Sequence, residues 1–347
     1  MSKYLNYVAY HVHTQLSLLD SATDFKDYVH KAKELGQKAI CFSEHGNTLN
    51  WIEKKMYCES TQYKVESCEL DKPIYAVKKQ LDKLIERYED IKITELKPIK
   101  YLHGVEVYLT ETLDENIRDN YHTVLIAKNF EGFKEINSLI DISTQKDHTY
   151  YKPRISFDEF LNISDNVIKI SACLASPLNQ IKNRLSEIED EDKKQRLSLY
   201  YEKLIFAYDF YEVQPHANSQ EQKEYNKFLY ELSKTTNIPL IAGTDTHSID
   251  GYKAECRTML QYAKDYVFAG EDEFDLTYHT YNELVDEFKR QNALSDTVYL
   301  EAINNTNVMA DTVEEFELDT SFKYPVLYDN EEEVFVARIQ KMKQEKN

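Results

Sequence analysis

The sequence predicts an α/β protein whose parallel strands form a barrel or a doubly wound sheet. Strand-like and helix-like stretches alternate along the chain, as they do in repeated βα units. Polar residues follow several of the predicted strands, and in such folds the carboxyl ends of the strands meet at one edge. The chain has 347 residues, of which 42% are hydrophobic, so it is long enough for one large α/β domain.

The first elements are an extended stretch and an amphipathic helix. NYVAYHV is strand-like, and the apolar residues of the range 25–35 share one side of a helix. Thr23 or Asp24 can cap the start of that helix, and Gly36 can end it. Further strands are predicted at KAICF, LHGVEVYL, HTVLIA, NVIKIS, DFYEVQPH and IPLIAGTDTH. Further helices are predicted from near Glu131, over Ile181–Ala207 and over Gln220–Thr235.

Two short motifs each place two ligand-type side chains one residue apart. HVH supplies His11 and His13, and DTH supplies Asp245 and His247. Residues i and i+2 of a strand face the same way, so each pair can present two ligands to one cavity. Other ligand-type residues lie at or near the ends of predicted strands and loops: Asp20, His45, Glu106, His122 and Cys173. Each motif alone is weak, but together they predict a site for Zn²⁺, Mn²⁺ or Fe²⁺ rather than Ca²⁺ or Mg²⁺.

Composition limits the partners of the protein. The formal charge is −19, which disfavours the broad basic surface that binds a nucleic-acid backbone by counterion release. Any nucleic acid is therefore expected to be held locally, by metal ions and a few basic residues, or delivered by a partner. Five scattered cysteines indicate reduced thiols in a cytoplasmic protein. The sequence shows neither a membrane-spanning apolar run nor a signal peptide.

The motifs together resemble a PHP (polymerase and histidinol phosphatase) domain, and most closely that of the bacterial C-family polymerases, the DNA polymerase III alpha subunits. The resemblance is carried in order by HVHTQLSLLD, ELGQKAICFSEHGN, GVEVY, HTVLIAKNFEGFKEINSL, YYKPRISFDEFL, ISACLASPL, YDFYEVQPH and NIPLIAGTDTH. It continues more weakly from CRTMLQYAK to FELDTSFKYP.

This resemblance implies a distorted (β/α)7 TIM-like barrel with a metal site at the carboxyl ends of the strands. Residues 1–265 would form the barrel domain, with an insertion at about residues 57–100 that the family usually lacks. Residues 266–347 would be a C-terminal extension packed on the barrel, similar to the segment that leads into a polymerase palm. The insertion would be either a lid or surface decoration, and its Cys58 and Cys68 are interpreted as ordinary thiols.

The resemblance also implies two to three divalent metal ions. One ion would take His11, His13, Glu106 and Asp245. A second would take Glu106, His122 and Cys173, and a third would take Asp20, His45 and His247. Asp245, His13 and Glu106 are the residues expected to be catalytic. Lys152 and Arg154, in YYKPRI, are candidate phosphate-binding residues.

Three functions remain open from the sequence. The first is a metal-dependent phosphoesterase, specifically a 3′→5′ exonuclease in which metal-activated water attacks phosphorus at the 3′ end of DNA. The second is a small-molecule phosphomonoesterase of the histidinol-phosphatase type. The third is a non-catalytic, metal-bound module that docks on a replicative polymerase. The chain itself is not expected to be a polymerase, because it shows no further catalytic carboxylates of that kind.

Overall fold

The computed structural model describes residues 6–114, 117–265, 273–319, 321 and 325–345. The chain forms two compact units, Met1–Glu315 and Phe316–Asn347, and the second contains a helix over Glu331–Glu345. The sequence-based division at residue 265 stays a prediction, as does the packing of an extension on a barrel. Within the described residues, no helix is both long and apolar enough to cross a membrane.

The described part of the first unit alternates strands and helices. The strands are β1 (Ala39–Phe42), β2 (Gln62–Glu66), β3 (Ile74–Ala76), β4 (Lys92–Leu96), β5 (Lys100–Thr110), β6 (Tyr121–Ala127), β7 (Thr149–Tyr150), β8 (Lys152–Ser156), β9 (Val167–Ile170), β10 (Tyr211–Val213) and β11 (Leu240–Ala242). The helices are α1 (Phe25–Glu34), α2 (Trp51–Cys58), α3 (Lys78–Arg87), α4 (Phe130–Ser143), α5 (Phe157–Leu161), α6 (Pro177–Arg184), α7 (Glu191–Ile205), α8 (Gln220–Thr236), α9 (Gly251–Tyr262), α10 (Tyr281–Gln291) and α11 (Asp296–Thr312).

The main sheet has mixed strand directions. Its order is β7-β8-β5-β6-β9, with β1 also paired to β5, and β10 and β11 form a separate parallel pair. The N-terminal segment, residues 7–13, makes one parallel bridge to β1 (Ala9–Ile40) and one to the residues after β11 (Val12–Thr246). A third bridge, Ile170–Phe210, links β9 to the start of β10. The fold is therefore α/β as predicted, but no continuous ladder closes a barrel among the described residues.

Three local predictions differ from the structure. Strand β6 runs antiparallel to both β5 and β9, so the sheet is not wholly parallel. The N-terminal segment is extended but pairs only through single bridges. The single helix predicted over Ile181–Ala207 is two helices, α6 and α7, because the polar stretch after α6 interrupts it. Asp190 then caps α7 by accepting a hydrogen bond from the amide of Lys193 at 3.0 Å.

The hydrophobic core packs against these strands. It combines side chains of the N-terminal segment, β1, β5, β6, β9, β11 and α11, all at most 6% exposed. Helix α11 covers the edge at which β1 and β5 begin. The Lys100 ammonium donates to the carbonyl of Val313 at 2.7 Å, and the amide of Val8 donates to Thr306 Oγ1 at 2.9 Å. The opposite edge of the sheet is left open for polar groups.

The insertion begins and ends at the edge that α11 covers. The amide of Ile99 donates to the carbonyl of Cys58 at 3.0 Å, and Lys100 pairs with Ala39 where β1 and β5 start. Between these points, β2, β3 and β4 form a separate antiparallel sheet. At about 3.3 Å per residue, the part of β5 from Lys100 to Glu106 spans about 20 Å. The root of the insertion therefore lies far from Glu106, which favours surface decoration over a lid.

A buried ion pair supports the loop after β1. Glu44 and Lys54 are both almost fully buried, and their Oε1 and Nζ atoms lie 2.6 Å apart. Glu44 also accepts hydrogen bonds from the Thr14 amide and the Ser17 hydroxyl. Burial acts to raise the pKa of Glu44, but Lys54 and these donors outweigh it and lower the pKa to about 2. The pair thus joins α2 to the loop that follows His13.

Removing the cation from this pair is expected to destabilise the fold. In Lys54→Met the buried Glu44 carboxylate loses its partner, and we expect the free energy of unfolding to fall by about 3–5 kcal/mol. Chemical denaturation at neutral pH measures this change. Lys234→Met, which removes an exposed pair with Glu231, is the control and should cost about 1 kcal/mol or less. Equal losses in the two variants would contradict the role of the buried pair.

Candidate metal centre

Each element delivers its ligand-type residue to the same edge of the sheet. The N-terminal segment carries His11 and His13, and a single bridge holds His45, after β1, beside Glu106 in β5. His122 is the second residue of β6. Because β6 runs antiparallel to its neighbours, its start lies at the edge where the parallel strands end. Cys173 follows β9, and Asp245 and His247 follow β11.

The two histidines of HVH share two carboxylates. His11 Nε2 lies 3.3 Å from Glu106 Oε1 and 3.2 Å from Asp245 Oδ1. His13 Nε2 lies 3.7 Å from Glu106 Oε2 and 3.3 Å from Asp245 Oδ1. All four side chains are buried or nearly so. The first predicted ligand set is therefore brought together.

Glu106 also connects this set to the next. Its Oε2 lies 2.6 Å from His45 Nδ1, and its Oε1 lies 3.0 Å from His122 Nδ1. Cys173 lies at the side of this group, with Sγ 3.9 Å from His122 Nδ1. The fully buried Glu106 carboxylate is thus in reach of four imidazoles.

A third group surrounds Asp20. Its Oδ2 lies 2.7 Å from His45 Nε2 and 3.2 Å from His247 Nε2. The His13 ring stacks between those of His45 and His247, with centroids 4.2 and 4.4 Å away. Arg257, from α9, bonds to the Asp20 carboxylate and donates to its carbonyl oxygen at 2.6 Å.

The donor atoms fit divalent metal ions. Four buried atoms of this cluster have no hydrogen-bond partner among the described residues: His11 Nε2, His13 Nε2, His45 Nδ1 and Glu106 Oε2. Three sets of ligand atoms each lie within 4.8 Å of one another: His11, His13 and Asp245; His45, Glu106 and His122; and His13, His45 and His247. Nitrogen and carboxylate donors in such sets suit Zn²⁺, Mn²⁺ or Fe²⁺. The second and third sets differ from the ligand sets that the sequence resemblance implies, because His45 faces both Glu106 and Asp20.

The backbone at or next to three of these residues is in a sparsely populated conformation. Asp245 has φ +46°, and the residues just before Asp20 and Cys173, Leu19 and Ala172, have φ +68° and +60°. Such residues lack the freedom of glycine in the left-handed region and persist only when surrounding contacts enforce them. The contacts around this edge therefore hold its backbone in a defined shape.

The electrostatics of the cluster favour anionic carboxylates beside imidazoles. Burial acts to raise the pKa values of Asp20, Glu106 and Asp245, but the neighbouring imidazoles outweigh it and hold all three below their ordinary range. Burial, reinforced by His45 and His247, lowers the pKa of His13 to about 3 and keeps that ring neutral. Burial beside Asp245 and Glu106 raises the pKa of the Cys173 thiol, so it needs a bound cation to ionise.

A cleft of about 530 Å³ opens above these residues. Asp20, His45, His122, Cys173, Asp245 and His247 line it, together with Leu16, Leu18, Tyr108 and Lys152. Arg154 does not line this cleft, because its side chain is buried and donates to the carbonyl of Ile117 at 2.5 Å. Of the two candidate phosphate-binding residues, Lys152 alone lines the cleft.

Sequence reasoning missed two residues that contact the ligands. Glu212, in β10, lies against His11, with its Oε1 2.8 Å from His11 Nδ1. An acidic residue between Tyr211 and Val213, in a strand expected to be buried, could have indicated a functional role for Glu212. Arg257, which contacts Asp20, gave no such signal, because an arginine on a helix is ordinarily solvated.

The fold and the cluster define an α/β domain that gathers ligand-type side chains at one edge of a mixed sheet. The model of the PHP domain family matches residues 9–216, and the chain belongs to this family. The chain is 30% identical over 271 residues to the DNA polymerase III subunit alpha of Aquifex aeolicus and 27% identical over 269 residues to that of Borreliella burgdorferi. These matches cover 75% of this chain and 20% of each relative, so the chain spans about a fifth of their length.

One solved structure with a similar course is Endonuclease Q, in a complex with a 27-mer duplex that has an abasic lesion at the active site. It is 12% identical, with a TM-score of 0.37, and the alignment covers 74% of this chain and 56% of that chain.

Divalent metal is expected to stabilise the folded protein. At a free metal concentration of about 100 times Kd, each site that exists only in the folded state adds about 2.7 kcal/mol. We expect the melting temperature to rise with Zn²⁺ or Mn²⁺ and to fall again with a chelator. Asp245→Asn should lose most of this rise, and the exposed control Asp165→Asn should keep it. A wild-type melting temperature insensitive to metal would contradict the assignment.

Proposed function

We propose that the protein is a metal-dependent phosphoesterase. The observation that carries the proposal is the buried Glu106 carboxylate, in reach of four imidazoles at the base of an open cleft. The nine residues proposed to hold two to three divalent ions are His11, His13, Asp20, His45, Glu106, His122, Cys173, Asp245 and His247. When bound, such ions supply a deprotonated water as nucleophile and a Lewis acid for the phosphoryl oxygens.

The proposed fold of this site is a distorted (β/α)7 barrel. The seven members are the N-terminal segment, β1, β5, β6, β9, β10 and β11. Each is joined to the next by a ladder or by one of the three single bridges. Membership of the PHP family supports this arrangement, and so does the core, to which six of the seven segments contribute buried side chains.

The residues of the cleft have separate proposed roles. Asp245 and Glu106 hold the histidines of the N-terminal segment in one cluster, and neutral His13 offers Nε2 as a ligand. Lys152 stands in the cleft wall with Nζ 5.1 Å from the ring centre of Tyr108. From there its ammonium is proposed to bind a phosphate oxygen of the substrate. Leu18, which also lines the cleft, is exposed to solvent.

The proposed substrate is the 3′ end of a DNA strand, cleaved in the 3′→5′ direction. The names of the curated relatives support a role beside DNA synthesis, with a replicative polymerase as partner. The five free cysteines are consistent with action in the cytoplasm. A small-molecule phosphomonoesterase is the second candidate. It is favoured by the charge of −19 and by Lys152 being the one lysine or arginine among the described residues lining the cleft.

A parallel assay separates these candidates. Metal-loaded protein is given an end-labelled single-stranded oligonucleotide and, separately, a simple phosphomonoester. Stepwise shortening from the 3′ end supports the exonuclease, whereas release of phosphate from the monoester alone supports the phosphatase. Asp245→Asn should lower either activity about 100-fold or more. Loss of a residue that only hydrogen-bonds to a metal ligand typically costs about 10–100-fold, so loss of a ligand should cost at least as much. Asp165→Asn should retain activity. If the protein binds its metal ions fully but hydrolyses neither substrate, the non-catalytic docking module is the remaining candidate function.

Lys152 is expected to contribute to substrate binding. Loss of one charged hydrogen bond costs about 1.5–3 kcal/mol, so Lys152→Gln should lower kcat/KM about 10-fold or more. Metal content should be unchanged, because Lys152 is not among the ligand sets. Lys134→Gln, on the exposed side of α4, is the matched control. An unchanged kcat/KM in Lys152→Gln would remove this residue from the substrate site.

A further inference from the structure

We propose that Glu212 is a positioning residue of the metal centre, which orients the His11 ring so that Nε2 faces Glu106 and Asp245. The inference rests on the metal-binding part of the proposed function. It does not depend on which phosphate ester, if any, the protein hydrolyses.

The contact is made by the ring nitrogen of His11 that points away from the other candidate ligands. His11 Nδ1 lies 2.8 Å from Glu212 Oε1 and 3.1 Å from Oε2, and both side chains are fully buried. The other ring nitrogen, His11 Nε2, lies 3.2 Å from Asp245 and 3.3 Å from Glu106 without a hydrogen bond to either. One nitrogen is therefore committed to Glu212 while the other points into the cluster.

The Glu212 carboxylate also accepts hydrogen bonds from other groups. Tyr10 donates its hydroxyl to Oε2 at 2.8 Å, and Gln214 donates its side-chain amide to Oε1 at 2.7 Å. The amide of Glu212 donates to the Ser171 hydroxyl at 2.9 Å. Gly243, directly after β11, allows the close approach, because a Cβ there would lie 2.2 Å from the carboxyl carbon. The glycine just before TDTH is thus explained by the space that Glu212 occupies.

The chemistry of the pair explains how such a contact acts. A carboxylate only accepts hydrogen bonds, so the His11 Nδ1–H donates to it and the lone pair of Nε2 stays available for a cation. Histidines that bind metals commonly donate their other ring N–H to a carboxylate, which fixes the ring and raises its basicity. Glu212 would thereby act on an ion through His11, without contacting that ion.

A purely structural role is the competing explanation, since Glu212 also links the N-terminal segment to β10. Tyr10→Phe separates the two roles, because it removes a donor to the same carboxylate and leaves the His11 contact in place. A structural role predicts that the Glu212 and Tyr10 variants both lose stability with no change in metal affinity. A positioning role predicts that metal affinity changes only when the His11 contact is altered.

The test measures Co²⁺ and Zn²⁺ affinity by competition with a chromophoric chelator, together with the Co²⁺ absorption spectrum and the unfolding curve of the metal-free protein. We expect Glu212→Leu to lose about 10–100-fold in affinity for one ion. Glu212→Gln keeps a hydrogen-bond acceptor but not the charge, so its loss should be smaller. Tyr10→Phe should bind metal as the wild type does. If Glu212→Leu fails to fold, the comparison of Glu212→Gln with Tyr10→Phe decides the question.

The outcomes are distinguishable from failure of the proposed function. Wild-type affinity and an unaltered Co²⁺ spectrum in the folded Glu212 variants would overturn the positioning role and leave the phosphoesterase proposal intact. Metal binding that depends on Glu212, in a protein that hydrolyses no phosphate ester, would overturn the proposed activity and support the positioning role.

Discussion

The structure of the polar edge depends on one buried carboxylate, that of Glu106. It sits in the middle of a long strand, has no exposure to solvent, and lies near imidazoles from three other parts of the chain. A buried anion is unfavourable unless partners compensate it, so the surrounding histidines are as necessary to the fold as to any chemistry. The same requirement draws in the N-terminal segment, whose backbone pairs with the strands only through single bridges.

Strand direction decides which residues can take part. In a wholly parallel sheet, a histidine at the start of a strand would lie at the wrong edge. Because β6 is reversed, His122 reaches the edge where His45 and Asp245 arrive from strand ends. Strand β5 continues past Glu106 and pairs with β8. The paired strands form one wall of the cleft, and Lys152 lies in that wall.

Much of this arrangement could be predicted from local patterns. HVH and DTH each supply two neighbouring ligand-type residues, and the alternation of apolar runs indicated an α/β fold with α1, α4 and α8 in place. The direction of β6 could not be predicted, because it depends on pairing with distant strands rather than on residues 121–127. The break between α6 and α7 was missed because its polar residues also suit an exposed helix. Arg154 was misleading because sequence does not reveal that a guanidinium is buried against a carbonyl oxygen.

The position of the insertion has a consequence for how such a domain can vary. Its two ends meet where β1 and β5 begin, beneath the core and on the side of α11. Chain length added there changes the outline of the molecule while the geometry of the histidines and carboxylates stays the same. That side is therefore a natural place for related proteins to acquire new attachments, and for an engineer to graft a tag or a binding module.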